Sequence, residues 1–173
     1  MSAPDMSLLV KRRFAPLFAV QFLGAFNDNL LKFGLLFLAN FSILRSDPDA
    51  AAQLAILSTG LFILPYFLLS ALGGQLADRY DKARLVRWIK AAEIGIMAVA
   101  LFGFWIESIP VLLACLFLMG VHSTLFGPVK YAVLPQHLRQ NELMGGNGLI
   151  EAGTFLAILG GQLLAGVIPA WEA

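Results

Sequence analysis

Charged residues are scarce in this sequence, and their scarcity limits the class of protein. Only 13% of the 173 residues are Asp, Glu, Lys or Arg, whereas 59% are hydrophobic and the mean hydropathy is +0.79. A soluble domain of this length could not hide so much apolar surface from water. The formal net charge of +1 gives no excess of basic residues for binding nucleic acid. The composition therefore predicts a membrane protein with no nucleic-acid partner.

Cysteine and catalytic motifs are equally rare. The one cysteine, Cys115, offers neither a disulfide nor a metal-ligand set, and its apolar surroundings predict a small buried side chain. The sequence contains no nucleophile elbow, phosphate-binding loop or metal constellation. The nearest match to an acyltransferase His–acid pair is His137 with Glu142, which has the wrong acid. We therefore expect no enzyme activity, metal or cofactor from these residues.

The sequence also lacks an ordinary signal peptide. Lys11, Arg12 and Arg13 precede an apolar run, but this run continues to Leu44 without a small-residue cleavage site. A bilayer core about 30 Å thick needs roughly 20 helical residues to cross it. Five segments meet that length, and the first is long enough to tilt. We therefore predict an all-α membrane fold with five transmembrane helices, at residues 14–44, 51–76, 85–106, 110–134 and 146–168.

The distribution of basic residues predicts how these spans are oriented. One side of the membrane collects most of the Lys and Arg residues, whereas the other has Arg45 close to Asp47 and Asp49. The basic side comprises Lys11, Arg12, Arg13, Arg79, Lys82, Arg84, Arg87, Lys90, Lys130 and Arg139. We therefore expect a cytoplasmic N-terminus. An odd number of spans with no tail predicts that the natural protein continues beyond residue 173.

The strongest local motif is the loop between spans two and three, "GGQLADRYDKARLVRW" at residues 73–88. Gly73 and Gly74 are small enough for close helix packing, and Asp78 is suited to cap a helix or pair with a basic residue. The pattern G-x-L-A-D-R-x-x-K-x-R resembles the loop signature of the major facilitator superfamily, although Asp81 replaces the usual second glycine. The resemblance implies a gate-stabilising charge relay at Asp78, Arg79 and Arg84, beside Gly74.

Three further stretches narrow the resemblance. "QFLGAFNDNLLK", "FGPVKYAVLPQHL" and "NELMGGNGLIEAGTFLAILGG" are similar to the lysophospholipid transporter branch, and to the transporter part of proteins fused to acyltransferase and acyl-ligase domains. The resemblance implies a carrier with two six-helix halves, of which residues 1–173 form part of the first. It implies transport of lysophospholipid across the bacterial inner membrane for reacylation. The partners would be membrane lipid, the missing C-terminal half, and an acyltransferase domain in the same chain or a separate one.

Ionisable residues inside the first span form the principal candidate site. Asp28 lies near the centre of the apolar run, where a charged side chain is costly unless it faces protein or water. Asp28 and Lys32 are spaced i, i+4, and Asn27 and Asn29 add polar groups. This stripe is suited either to line a cavity or to form a self-neutralised pair that locks neighbouring helices. In a cavity, the carboxylate would bind an ammonium group and the lysine a phosphate.

The fifth span carries a second candidate, Glu151. Asn147, Glu151, Thr154, Ile158 and Gln162 share one helical face, which predicts a cavity wall or a helix-pairing carboxylate. Gly153, Ala157, Gly161 and Ala165 recur every four residues and predict close packing against another helix. Asp28 or Glu151 could also carry a coupling proton.

Other intramembrane residues have simpler interpretations. Glu93, one turn after Lys90, favours an ion pair, and His122 favours a hydrogen-bonded position inside the bundle over a proton relay. Pro65 and the Gly127–Pro128 pair predict kinks. The functional alternatives are a carrier of another small solute or drug, the transporter half of a fused acyltransferase enzyme, and a membrane assembly or receptor module that transports nothing.

Overall fold

A computed structural model of the chain describes residues 6–167, which contain helices and no strand. A 3-10 turn at Met6–Val10 precedes five α-helices. We number them α1 (Ala15–Leu38), α2 (Pro48–Arg79), α3 (Lys82–Trp105), α4 (Ile109–His137) and α5 (Leu143–Val167). Helix α1 continues as a π-helical turn at Ala39–Ile43. The predicted all-α fold with five helices is confirmed.

Capping residues define where α2 and α3 begin. The Asp47 carboxylate accepts a hydrogen bond from the Ala50 amide at 3.0 Å and starts α2, with Pro48 in its first turn. Asp81 similarly starts α3 by accepting from the Arg84 amide at 2.8 Å. These caps place α2 and α3 within three residues of the predicted segments. The predicted end of the fifth segment, residue 168, lies outside the described residues.

Among residues 6–167, four helices are long and apolar enough to cross a membrane: Ala15–Ile43, Pro48–Arg79, Ile109–His137 and Leu143–Val167. Helix α3, which begins with basic residues and carries Lys90 and Glu93 in its first half, is not among them. Its 24 residues nevertheless extend over about 36 Å, which exceeds the thickness of a bilayer core. That α3 also crosses the membrane stays a prediction.

Small residues bring the helices close together. Helix α5 packs against α1 through Gly153, Ala157, Gly161 and Ala165, all of which are buried. A Cβ atom at Gly161 would lie 2.6 Å from the Phe26 carbonyl oxygen. The predicted small-residue packing face is therefore confirmed.

Helices α2 and α4 form the other close pair. A Cβ atom at Gly120 would overlap the Phe62 carbonyl, and one at Gly73 would lie 3.0 Å from the Thr124 carbonyl oxygen. At Gly74 a Cβ atom would meet open space, so only the first glycine of the predicted pair is needed for helix contact. Helix α4 also continues through Pro128 and Pro135 without ending.

Two separate apolar clusters fill the bundle. One surrounds Phe14, Leu17, Ile89 and Val133, and the other surrounds Leu31, Leu35, Leu116 and Met119. Cys115 belongs to the second cluster as a buried free thiol, as predicted. Along α1, α3 and α4, the polar residues Asp28, Glu93 and His122 lie between these clusters. The fold therefore holds a polar layer between two apolar ones.

A salt bridge closes the end of the bundle near the first cluster. Arg13, before α1, donates to the Glu142 carboxylate at 2.6 Å, and the Arg139 amide donates to the same group at 2.9 Å. The Arg139 amide and the Arg13 guanidinium hold the pKa of Glu142 below its usual range. These contacts join the start of α1 to the α4–α5 loop.

We predict that Gly161→Ala destabilises the full-length protein by about 1–3 kcal/mol, because the new methyl group would force α1 and α5 apart. The neighbouring Gly160→Ala is the matched control, since its Cβ atom would approach the Phe26 ring no closer than 3.5 Å. Thermal unfolding of both purified variants tests the close contact. Equal melting temperatures for the two variants would contradict it.

We also predict that Glu142→Gln lowers the melting temperature near neutral pH. The lowered pKa means that the carboxylate stabilises the fold above the ordinary glutamate pKa of about 4.3. This contribution is lost as the pH falls through the lower folded-state pKa. Wild type and variant should therefore converge in acid, and a difference independent of pH would show that ionisation of Glu142 is not responsible.

Candidate functional site

A cavity of about 310 Å³ opens at the polar layer of the bundle. Its wall combines acidic, basic and amide side chains with several aromatic rings. The lining includes Gln21, Asp28, Asn29, Lys90, His122, Ser123, Lys130 and Thr154, together with Phe62, Tyr66, Phe126 and Ile158. Residues from all five helices therefore contribute to one recess. Polar groups that converge on a concave wall with aromatic rings are typical of small-molecule sites.

Asp28 provides a carboxylate at the α1 side of the cavity. Its Oδ2 atom accepts a hydrogen bond from Ser123 Oγ of α4 at 2.6 Å. Its Oδ1 atom is buried and accepts no hydrogen bond from the described residues. A buried acceptor of this kind is costly to leave unsatisfied, so it favours binding of a cation or another donor.

The alternative in which Asp28 and Lys32 neutralise each other is wrong for this structure. Within residues 6–167, Lys32 forms no salt bridge or hydrogen bond, and it does not line the cavity. Asp28 is held by Ser123 instead. The i, i+4 spacing permits the pair, but the hydroxyl on α4 competes for the carboxylate.

Glu93 of α3 lies at the centre of a network that joins three helices. Its carboxylate accepts hydrogen bonds from Asn27 Nδ2 at 2.8 Å and from Lys90 Nζ at 2.7 Å. His122 Nε2 of α4 lies 3.2 Å from Glu93 Oε2, although not in hydrogen-bonding geometry. The predicted pairing of Glu93 with Lys90 is confirmed. Asn27 therefore contacts Glu93 and does not line the cavity.

Lys90 reaches the cavity because α1 has a glycine opposite it. A Cβ atom at Gly24 would lie 2.6 Å from Lys90 Nζ, so a larger residue would displace the ammonium group. The same Nζ lies 4.3 Å from the centre of the Phe126 ring, a favourable cation–π distance. Gly24, the Glu93 carboxylate and the Phe126 ring together hold the Lys90 ammonium group at the cavity wall.

A second cation, Lys130, comes from α4. Its Nζ lies 3.5 Å from Glu151 Oε1, and the Tyr131 hydroxyl donates to the same oxygen at 2.7 Å. The Glu151 side chain is 46% exposed and is not part of the cavity wall. Glu151 therefore acts here as the counter-charge of Lys130, which does line the cavity.

The polar face of α5 meets the polar stripe of α1. Gln21 donates to Thr154 Oγ1 at 2.9 Å, and Gln162 donates to Asn29 Oδ1 at 3.4 Å. Asn29 and Thr154 line the cavity. These contacts bring the predicted polar faces of the first and fifth spans together.

The loop between α2 and α3 lies apart from this cavity. Asp78, Arg79 and Arg84 are exposed, and Asp78 forms no salt bridge with any residue of the described chain. Asp81 caps α3 in place of Asp78. The structure thus brings Asp28 and Asn29 to the cavity and leaves the loop residues at the end of the bundle.

Sequence reasoning missed Lys90, Ser123 and Lys130 as cavity residues. The sequence places Lys90 in the basic flank of α3. Glu93, three residues later in an apolar stretch, is the sequence signal that indicates an interior position for Lys90. No spacing on one helix reveals Ser123 as the partner of Asp28, because that contact joins α1 to α4.

Residues 17–172 match the family model of the Major Facilitator Superfamily, which covers most of the chain. The chain belongs to this superfamily. With its long apolar helices, membership of the superfamily makes the chain part of a multi-pass membrane protein. No solved structure matches the chain significantly.

Several curated proteins resemble the chain along most of its length. The lysophospholipid transporter LplT of Serratia proteamaculans is 31% identical over 169 residues, which is 98% of this chain and 39% of that protein. LplT of Yersinia enterocolitica is 30% identical over 164 residues, 95% of this chain and 38% of that protein. LplT of Pectobacterium carotovorum is 30% identical over 165 residues. The chain thus spans about two fifths of the length of these relatives.

We predict that Glu93→Gln destabilises this superfamily member by about 1.5–3 kcal/mol, because the partly buried Lys90 ammonium group loses a charged hydrogen bond and its counter-charge. Replacing both residues, as Lys90→Met with Glu93→Gln, should recover part of the loss, since the double variant leaves no charge without its partner. Unfolding of the full-length protein measures both effects. A double variant less stable than the single one by the full effect of Lys90→Met alone would show that the two residues are not coupled.

Proposed function

We propose that the chain is the N-terminal part of a carrier that moves lysophospholipid across the bacterial inner membrane for reacylation. The observation that carries this proposal is the presence of both signs of charge on one interior cavity. Asp28 lines it with a partly unsatisfied carboxylate, and Lys90 and Lys130 line it with ammonium groups. A zwitterionic headgroup has an amine and a phosphate, which complement these two kinds of group.

The two charges of the headgroup would bind different helices. We assign the amine to the unsatisfied Oδ1 of Asp28 on α1, and Asn29 lines the same cavity. We assign the phosphate to Lys90 on α3 and Lys130 on α4. An interior site between repeats near the middle of the bilayer is the usual location for substrates of secondary transporters.

The aromatic part of the wall suits the rest of the substrate. Phe62, Tyr66 and Phe126 border the same cavity as the charged groups. An apolar surface beside polar anchors supports binding of an amphiphile with one acyl chain. A cavity of about 310 Å³ is near the lower limit for a ligand site. The remaining half of the carrier would therefore enclose the acyl chain of the substrate.

The other predicted substrate residues have indirect roles in this proposal. Asn27 holds Glu93, which positions Lys90, and Glu151 positions Lys130. The role of Lys32 in substrate binding stays a prediction. None of the described residues pairs with Lys32. Proton coupling through Asp28 or Glu151 also stays a prediction.

The proposal includes an orientation and a set of partners. The N-terminus would be cytoplasmic, on the side where most of the Lys and Arg residues gather. The C-terminal half would complete the site, and an acyltransferase, fused or separate, would use the product. Asp78, Arg79 and Arg84, beside Gly74, would form the gate-stabilising relay when the rest of the carrier is present.

The second candidate is a carrier of another small solute or drug. Membership of the superfamily supports it equally, because the same fold carries many substrates. The mixed charge of the cavity favours the lysophospholipid, since a neutral sugar has no group for Asp28 or Lys90 to bind as an ion.

Inward movement of labelled lysophosphatidylethanolamine by the reconstituted full-length protein tests the proposal. We predict that Asp28→Asn lowers the transport rate at least about tenfold, because a charged hydrogen bond is worth about 1.5–3 kcal/mol. Asp49→Asn is the matched control, since Asp49 is exposed in the first turn of α2 and outside the cavity.

Two results would contradict the proposal. Wild-type transport by Asp28→Asn would remove Asp28 from the site. Absence of lysophospholipid transport by the wild type, together with uptake of a sugar or drug, would keep the superfamily and replace the substrate.

A further inference from the structure

A second recess, of about 580 Å³, lies at the end of the bundle closed by Arg13 and Glu142. It is bordered by the start of α1, the α2–α3 loop, the start of α3 and the end of α4. No residue lines both this recess and the polar cavity. It is therefore a separate feature that the proposed transport site does not use.

The rim of this recess is basic. Arg12, Arg13, Lys82 and Arg87 border it, and among residues 6–167 Asp81 is the one acidic residue of its lining. The Asp81 carboxylate already accepts a hydrogen bond from the Arg84 amide at the start of α3. The lining therefore carries a clear excess of positive charge.

Part of that charge has no partner in the described part of the chain. Arg13 is paired with Glu142, whereas Arg12 and Lys82 form no salt bridge among residues 6–167. Arg87 uses only its Nε, which donates to the Ala83 carbonyl oxygen at 3.2 Å. The forked end of the Arg87 guanidinium stays available for a phosphate, which guanidinium groups bind in bidentate geometry.

The floor of the recess is apolar. Leu17, Val20, Val86 and Val133 border it below the basic rim, and Leu17 and Val133 belong to the first apolar cluster. Basic groups above an apolar floor match a phosphate above an acyl chain. An inorganic anion would use the rim alone.

We propose that this recess binds an anionic phospholipid of the surrounding bilayer, with its phosphate between Arg12, Lys82 and Arg87 and an acyl chain along the valines. The position supports this occupant, because basic pockets between helices at the membrane surface recognise anionic headgroups. The bound lipid joins the start of α1 to α3 and α4. It thereby stabilises the end of the bundle where three elements meet.

The test uses the purified full-length protein in neutral detergent with short-chain phosphatidylglycerol as the probe. Thermal unfolding is followed as the lipid concentration rises, with phosphatidylcholine and inorganic phosphate as parallel additions. We expect a saturable rise in melting temperature with phosphatidylglycerol alone. Phosphatidylcholine lacks the net charge, and inorganic phosphate lacks the acyl chain.

Variants locate the effect. Arg12→Gln with Arg87→Gln should raise the half-saturating lipid concentration by roughly fivefold for each charge removed. Arg139→Gln is the matched control, because Arg139 is exposed at the same end of the bundle and does not line the recess. Arg12→Lys with Arg87→Lys keeps the charge, so it should keep most of the affinity and show that the double Gln variant lost charge and not its fold.

Three outcomes would overturn the proposal. No stabilisation of the wild type by phosphatidylglycerol would mean that the rest of the polypeptide fills the recess. Equal stabilisation by inorganic phosphate would identify an anion site without a lipid. An unchanged half-saturating concentration in the double Gln variant would place the lipid elsewhere.

Discussion

The interior of this bundle depends on the contacts of the Glu93 carboxylate with three helices. It accepts a hydrogen bond from Asn27 of α1 and another from Lys90 of its own helix, and it lies beside His122 of α4. A carboxylate buried without such partners would be expelled or neutralised, because the cost of burying an isolated charge is large. Once it is paired, α1, α3 and α4 can share a polar layer within an otherwise apolar bundle. A buried ion pair adds little net stability, because removing the two charges from water is costly. We therefore attribute to this pair a role in the arrangement of the helices.

The two apolar clusters give this polar layer its depth. Leu17 and Ile89 belong to one cluster and Leu31 and Ala100 to the other, so Asp28 of α1 and Glu93 of α3 lie between them. The clusters exclude water from both sides, and this strengthens the electrostatic attraction within the layer. The same arrangement leaves Asp28 half satisfied by Ser123 and leaves Lys90 at the cavity wall. The packing that stabilises the fold therefore also creates a site with both signs of charge.

Much of the fold follows from the sequence, because the length of each apolar run and its capping residues are visible within a single segment. The packing of α5 against α1 was also predictable, since Gly153, Ala157, Gly161 and Ala165 encode one smooth face. The site was less predictable because its contacts join different helices. The spacing of Asp28 and Lys32 suggested a pair within α1, but Ser123 of α4 takes the carboxylate. Likewise, Gly24 admits the Lys90 ammonium group across the α1–α3 contact, and no pattern within either helix indicates that approach.

In the proposed complex, the lysophospholipid phosphate binds Lys90 while the amine binds Asp28. Solid-state NMR of the full-length carrier, with labelled lysine nitrogen and bound lysophosphatidylethanolamine, measures the distance from phosphorus to Lys90 Nζ directly. We expect a dipolar contact consistent with a charge-assisted hydrogen bond of about 2.7–2.9 Å between the Lys90 nitrogen and a phosphate oxygen. The absence of a phosphorus contact at Lys90 under saturating lipid would contradict this binding mode.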